Sequence, residues 1–429
     1  MELVRAAAVL TTKVFFLSWL TMLSLRYSGV VEHPAIDFLT VVLFFLFAVP
    51  FFMLAFLVLL MPSTPRAESS VGAALYKGNV DAFGSFYSSA LSLSVVYIAL
   101  VVVDKVLIEG VLSVGVTEAR YAAMVEGPKA SVFGALHYFL AGSPAILACL
   151  LLSRRGIGEQ VNIFGWCVVL IGFGAYFLSG GRNSFVISSV FVLFYFALER
   201  LRFYRMAGGQ KITIPWWLKF CSFLGCCYVV YLFVERAEIR GMDMAGAINS
   251  LSENYGVEVY APSWLSGFLL QVYYCLAYLV FYLTHAPTYV SQYMVADYSP
   301  MLMGGYGFSF IYRTFDVLAG TQFVVDAFSS LLIAGVYLSL PGTLYVDFGW
   351  VGVALAGTIL ASITVFSVAV ALSRRNSAGL MAASLCLTIV ALSPVFSAIS
   401  VGNGMSILLL LSILRLLACV KRSSARNFA

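Results

Sequence analysis

Between Ala6 and Val420 the chain is built from unbroken apolar runs, each close to the roughly 20 residues an α-helix needs to cross about 30 Å of hydrocarbon. The strongest are Ala6–Leu25, Phe38–Met61, Phe83–Val103, Val132–Leu152, Val161–Leu178, Ser184–Leu198, Trp216–Val234, Trp350–Leu372, Gly379–Phe396 and Ser406–Val420. Two weaker runs are Trp264–Leu283, rich in tyrosine, and Phe323–Leu340, which carries Asp326. Apolar residues make up 62% of the 429 and charged residues 10%, against about 45–50% and about 25% in an average soluble protein. No soluble core hides that much apolar surface. A chain in lipid must satisfy its backbone hydrogen bonds internally, and these runs do not alternate as barrel strands do. The expected class is therefore an all-α polytopic integral membrane protein of roughly 10–12 transmembrane helices, one transmembrane domain over residues 1–429. The first run is too long for the apolar core of a cleavable signal peptide, and no A-x-A site precedes a mature domain.

Orientation follows from lysine and arginine, which favour cytoplasmic loops. Arg154-Arg155, Arg200 to Lys211, Arg374-Arg375 and Lys421-Arg422 fall on one face together with both termini, which predicts cytoplasmic N- and C-termini. The opposite face then carries residues 26–37, 104–131, 179–183 and everything from Glu235 to Gly349. An even number of spans must lie within 235–349. Either Trp264–Leu283 and Phe323–Leu340 both cross or neither does. Crossing would leave His285–Gln322 in the cytoplasm with little positive charge to hold it there, so 235–349 is read as one large external loop containing short helices at the headgroup level. Loops of that length usually carry function.

The formal charge of +5 fits loop orientation, not a nucleic-acid surface. The 8 cysteines sit almost entirely inside apolar runs and read as small buried hydrophobes. His33, His137 and His285 lie far apart, and no CxxC or Cys/His cluster appears, so neither a metal site nor a cofactor is expected.

Arginines on the outer face are the informative residues, because the orientation rule depletes that side of positive charge: Arg120, Arg182, Arg236, Arg240 and Arg313. Arg182 stands in Ser179-Gly180-Gly181-Arg182-Asn183-Ser184. The flanking runs, Ile163–Leu178 and Phe185–Leu198, are only about 21–24 Å long, which sinks the turn below the membrane surface. An arginine there costs about 2.5–3.5 kcal/mol and marks a site, unless it snorkels to the headgroups. The helix opening beyond Asn183 points amide donors outward, as phosphate sites do. Arg236 and Arg240 lie one turn apart, with Glu235 and Glu238 available to pair with them. Arg313 and Asp316 read equally as an ion pair and as a site. Arg120 stands near Glu118 and Glu126. Several converging arginines would clamp a diphosphate through their planar forks. Asp347, just before Trp350, reads as a helix N-cap or as an acid of the site. Tyr289, Tyr293, Tyr298 and Tyr306 suit either sugar stacking or an interfacial aromatic belt. Arg26, on the same face but outside this cluster, is expected to tolerate lysine.

With these residues in view, the sequence resembles the O-antigen and oligosaccharide repeat-unit polymerase family (Wzy type). The resemblance rests on Gly180-Gly181-Arg182-Asn183-Ser184, on Arg240-Gly241 after the next outward span, on Tyr278-Leu279-Val280-Phe281-Tyr282-Leu283-Thr284, and on Leu344-Tyr345-Val346-Asp347-Phe348-Gly349 entering a late span. It runs from about Arg120 to Gly357. It implies a metal-independent, inverting, GT-C-like glycosyltransferase of the bacterial inner membrane that works on the periplasmic side in lipopolysaccharide biosynthesis. Such an enzyme moves a glycan from undecaprenyl diphosphate onto another lipid-linked repeat unit. Its implied partners are the lipid-linked donor and acceptor, a chain-length regulator (polysaccharide co-polymerase) and a flippase. Arg182 and Arg240 inherit diphosphate contacts, with Arg120 and Arg313 aligning less closely. The chemistry agrees with the arginines, which stabilise charge on a departing diphosphate. A general base within reach of the attacking hydroxyl would come from Asp316, Asp347, His285 or Glu238. Two other readings remain open: an O-antigen ligase, which delivers the glycan to lipid A core, and a non-enzymatic flippase or exporter.

Overall fold

The computed structural model describes residues 2–60, 81–111, 131–156, 162–178, 182–206, 227, 244–296, 302–321, 323, 338–373, 377–400 and 402–427. Among these the regular structure is helical, and the only strand-like pairing is one antiparallel bridge between Glu32 and Glu258. Among the described residues seven helical stretches are long and apolar enough to cross a membrane: Glu2–Arg26, Phe38–Leu60, Phe86–Ile108, Val132–Ser153 (two helices either side of a short break), Asn183–Arg202, Gly267–Thr284 and Leu340–Ser373. The protein is a polytopic membrane protein.

Helix α1 (Glu2–Arg26) and α2 (Phe38–Leu60) form a hairpin. Aromatic rings join them, Phe15 stacking on Phe51 at 4.0 Å and Trp19 meeting Phe44 and Phe47. Next come α3 (Asp81–Val101) with a π-helical turn at Val102–Ile108, α4 (Val132–Leu140), α5 (Ser143–Gly156), α6 (Ile163–Leu178) and α7 (Arg182–Met206). The expected span Val132–Leu152 is therefore two helices, broken at Ala141-Gly142. The backbone groups freed at the break are satisfied by neighbours: the Ala141 carbonyl accepts from the Tyr176 hydroxyl at 2.7 Å, and the Gly142 amide donates to Ser406 Oγ at 2.8 Å. Membrane helices tolerate breaks on that condition.

The outer-loop region supplies α8 (Met244–Tyr255), α9 (Gly267–Thr284), α10 (Ala286–Val295) and α11 (Ser309–Ala319). The chain then returns to the bundle through α12 (Leu340–Ser373), α13 (Ser377–Leu392) and α14 (Gly402–Asn427). Helix α12 is broken at Gly349, whose φ of +64° is open to glycine without strain. Beyond that break Val351, Leu355, Ile359, Ile363 and Phe366 form an exposed stripe suited to lipid, while Val353, Gly357, Ala361, Thr364 and Val368 are buried. The small inward residues let backbones approach, as membrane interfaces do. A Cβ on Gly357 would lie 2.7 Å from the Phe47 carbonyl of α2.

Two expectations change. Helix α6 is short, 16 residues, but α7 is 25 residues long and does not stop at Leu198. It continues because Glu199 and Arg202 pair at 2.7 Å, one turn apart and buried, so their charges do not force an end. Only one flank of the Gly-Gly-Arg turn is therefore short. Of the cysteines described, Cys149 is buried, Cys275 and Cys386 are half-buried, and Cys167 and Cys227 are exposed. The run Trp216–Val234 and nearly all of Phe323–Leu340 lie outside the described residues.

Candidate functional site

Hydrogen bonds gather the polar residues at one end of the bundle. Trp19 of α1 donates its Nε1–H to Ser393 Oγ beyond α13, and the Leu340 amide opening α12 donates to the Ser393 carbonyl. Asn403, in the first turn of α14, donates to the Ser184 carbonyl and to Ser188 Oγ in the first turns of α7. The α1–α2 turn, the α9–α10 junction and the starts of α7, α12 and α14 thus share one end.

At its centre lies Arg26, the last residue of α1, only 4% exposed. Its Nη1 donates to the Thr284 carbonyl at 2.9 Å and to Thr288 Oγ1 at 3.1 Å, and its Nη2 to the Pro34 carbonyl at 3.0 Å. Among the described residues it meets no carboxylate. This corrects the reading of Arg26 as a bystander: it joins α1, the α1–α2 turn and the α9–α10 junction. His33, in the same turn, bonds Thr284 Oγ1 at 2.7 Å through Nε2, and its ring lies parallel to Phe281. Since the Thr284 hydroxyl already donates to the Val280 carbonyl, it accepts from His33. The hydrogen is therefore on Nε2, and Nδ1 is a bare acceptor without a partner. Burial, then the nearby Arg26 and His285, push the His33 pKa down to about 3.

His285 and Tyr289 of the sequence-based set stand around this knot. His285 is the residue between α9 and α10; it is buried, with Nδ1 3.2 Å from the Phe281 carbonyl and its ring against Phe281, Tyr282 and Tyr289. Tyr289 belongs to this buried box with Tyr255, not to an exposed belt. Asp347 is 1% exposed and is not the N-cap of the span it precedes. Its Oδ1 accepts from the Tyr306 amide at 3.0 Å and its Oδ2 from the Gly307 amide at 2.6 Å, while its carbonyl accepts from the Met303 amide at 3.1 Å. It fastens the 302–308 turn to α12, and both carboxylate oxygens are occupied in doing so.

Asp316 is similarly engaged. Its Oδ1 accepts from Thr321 Oγ1 at 2.5 Å and from the Phe323 amide at 3.0 Å, closing the chain behind α11. Arg182 is the first residue of α7 and Arg313 lies within α11. Arg120, Arg240 and Glu238 lie outside the described residues.

A second polar group stands at the end of α3. Asp104 and His137, both 1% exposed, face each other with Oδ2 and Nδ1 3.6 Å apart. The Ser131 hydroxyl, which caps α4 by accepting from the Gly134 amide, donates to Asp104 Oδ1, and Lys105 Nζ lies 3.0 Å from Oδ2. Sequence reasoning passed over Arg26, Asp104 and His137. A signal for the last existed: an ionisable residue well inside an apolar run is by default a functional one.

No family model, curated protein or solved structure matches the chain.

Proposed function

We propose that this chain is a glycan polymerase of the bacterial inner membrane, of the Wzy type and GT-C-like in architecture. It transfers an undecaprenyl-diphosphate-linked oligosaccharide onto another lipid-linked repeat unit at the periplasmic side. The observation that carries this reading is the meeting at one end of the bundle of α7, opening on Arg182, with the buried Arg26–His33–Thr284–His285 knot and its aromatic box. A carrier lipid lying in the bilayer brings its diphosphate to headgroup depth, where the first turn of a helix offers unpaired amide donors and an arginine. Arg182, with Arg240, Arg313 and Arg120, would hold the departing diphosphate, whose growing charge needs fixed donors in a dry site. Rings and hydroxyls beside them suit sugars, which offer apolar faces and many hydroxyl groups.

The test is reconstitution of the purified protein in liposomes with lipid-linked repeat units, products being resolved by length. A ladder beyond one repeat is expected. Transfer only to an added lipid A core would make the chain a ligase, and movement of substrate across the bilayer without transfer a flippase. Arg182→Lys keeps charge but loses the fork, and should slow polymerisation roughly a hundredfold, about 3 kcal/mol of transition-state stabilisation. An unchanged rate would leave Arg182 merely reaching for headgroups.

A further inference from the structure

Of the described acids and bases picked out in the sequence, Asp347 spends both carboxylate oxygens on backbone amides, Asp316 its Oδ1 on a hydroxyl and an amide, and His285 turns Nδ1 to a carbonyl. Among the described residues the one histidine within 4 Å of a carboxylate is His137, beside Asp104.

Their arrangement follows from the sequence. The turn Val102–Ile108 is π-helical, with the Glu109 amide bonded to the Asp104 carbonyl, and such bulges gather at functional sites. Gly134 lets α4 approach Asp104, since a Cβ there would lie 3.1 Å from Oδ1 and from Ser131 Oγ. Ser131 donates to Asp104 Oδ1, and the Lys105 ammonium stands beside Oδ2. A carboxylate facing Nδ1 selects the tautomer with hydrogen on Nδ1, leaving Nε2 a bare lone pair. Neither ring nitrogen makes a close hydrogen bond, although the Phe133 backbone one turn back also stands within reach of the ring.

The pair also stands close to the start of α7. The His137 ring lies 6.4 Å from Tyr97, and Tyr97 lies 5.9 Å from Tyr176. The Tyr176 hydroxyl accepts from Ser188, which accepts from Asn403, whose amide also holds the Ser184 carbonyl. Asn403 Oδ1 is buried and unpartnered like His137 Nε2. One polar layer thus runs from the dyad to the turn after Arg182, ending in two bare acceptors already removed from water. Bare acceptors in a dry layer call for hydroxyl donors.

We propose that Asp104 and His137 are the acid–base dyad of the transfer, with His137 taking the proton from the acceptor sugar's hydroxyl and Asn403 accepting from a second hydroxyl. This rests on the polymerase reading above. The acceptor O–H gives its proton to Nε2 while its oxygen bonds the anomeric carbon. The bond from that carbon to the diphosphate oxygen breaks, and its electron pair leaves with the diphosphate. Asp104, closing on Nδ1–H, stabilises the imidazolium until the proton passes to water. The titratable groups around the ring are Asp104, Lys105 and Glu109 of the π-turn, Tyr97 of α3, Tyr138 of α4 and Tyr176 of α6, while α14 brings Ser406 alongside α4.

The test uses the reconstituted protein and lipid-linked repeat units. His137→Ala should lower the transfer rate at least a hundredfold, the usual scale for a lost base. Added imidazole should restore it more than tenfold, which a structural histidine would not allow. Asp104→Asn, which keeps the shape should His137→Ala not fold, should shift the acidic limb of the pH–rate profile. A folded His137→Ala protein that keeps its rate, or stays slow in imidazole, overturns the dyad, as does an unshifted limb in Asp104→Asn. Absence of polymer from the wild type overturns the polymerase reading itself.

Discussion

A buried guanidinium held by three oxygens, none of them a carboxylate, sets the terms at the residue scale. Arg26→Lys keeps the charge but cannot reach Thr284, Thr288 and Pro34 at once, since an ammonium lacks the planar fork. Bonds to a charged group contribute about 1.5–3 kcal/mol each, so this substitution should lower the unfolding temperature in detergent by several degrees. A silent Arg26→Lys would mean that the knot is dispensable. His33 adds a pH dependence whose sign is fixed by its pKa of about 3, below the ordinary value of 6.5. Between those values the unfolded chain binds a proton that the folded one refuses, so stability is lost as pH falls through that window. Thermal unfolding of the wild type should therefore weaken from pH 7 to pH 4 more than that of His33→Gln. Parallel curves would show that His33 is not held neutral by its site. The lesson extends to Asp347 and Asp316. In the sequence a carboxylate beside a span or an arginine looks chemical, but the amides that occupy these two belong to segments tens of residues away or to the chain just past the helix, which no local pattern announces.

At the scale of elements, apolar periodicity reports which stretches are helical far better than where they bend. The break at Ala141-Gly142 lies inside an unbroken apolar run because its polar groups are satisfied by α6 and α14, at distances the sequence does not encode. Glycine was the available clue. A Cβ on Gly142 would lie 2.7 Å from the Ile407 backbone nitrogen, whereas one on Gly174 of α6 would meet nothing within 4 Å. Gly142→Ala should therefore push α14 from the break and cost about 1–3 kcal/mol, as overpacking does. Gly174→Ala should be neutral or stabilise α6 by about 0.5–1 kcal/mol. Unfolding temperatures of the two variants in one detergent decide the matter: equal shifts would mean that the close approach at Gly142 does not constrain the fold.

For the whole molecule, the membrane class and most of the helices were legible because lipid imposes one rule on every span, whereas the site was legible only in part. Arg182 was placed at a helix start by its Gly-Gly neighbours. The knot around Arg26 and the Asp104–His137 pair depend on contacts between residues 258 and 33 positions apart, such as Arg26 with Thr284 and Asp104 with His137. The largest topological question left by charge counting is whether α9 crosses the bilayer, and local geometry bears on it. Glu258 exchanges two backbone hydrogen bonds with Glu32, at 2.8 and 3.0 Å, which pins it to the α1–α2 turn. The Tyr260 carbonyl then accepts from the Tyr273 hydroxyl at 2.9 Å, so the non-helical chain after Glu258 passes beside α9 before turning at Ser263-Trp264 into it. A non-helical segment with an exposed Glu258 cannot lie in hydrocarbon, where unpaired backbone groups cost several kcal/mol each. Helix α9 and its companion segment should therefore lie outside the bilayer, on the side of the α1–α2 turn. Single cysteines at Ser28, Ser263 and Met303, all exposed, test this in a background lacking the native cysteines. All three should react with a membrane-impermeant thiol reagent from the same side of intact cells. Reaction of Ser263→Cys only from the side opposite Ser28→Cys would mean that α9 crosses, and would divide the 235–349 region between the two faces.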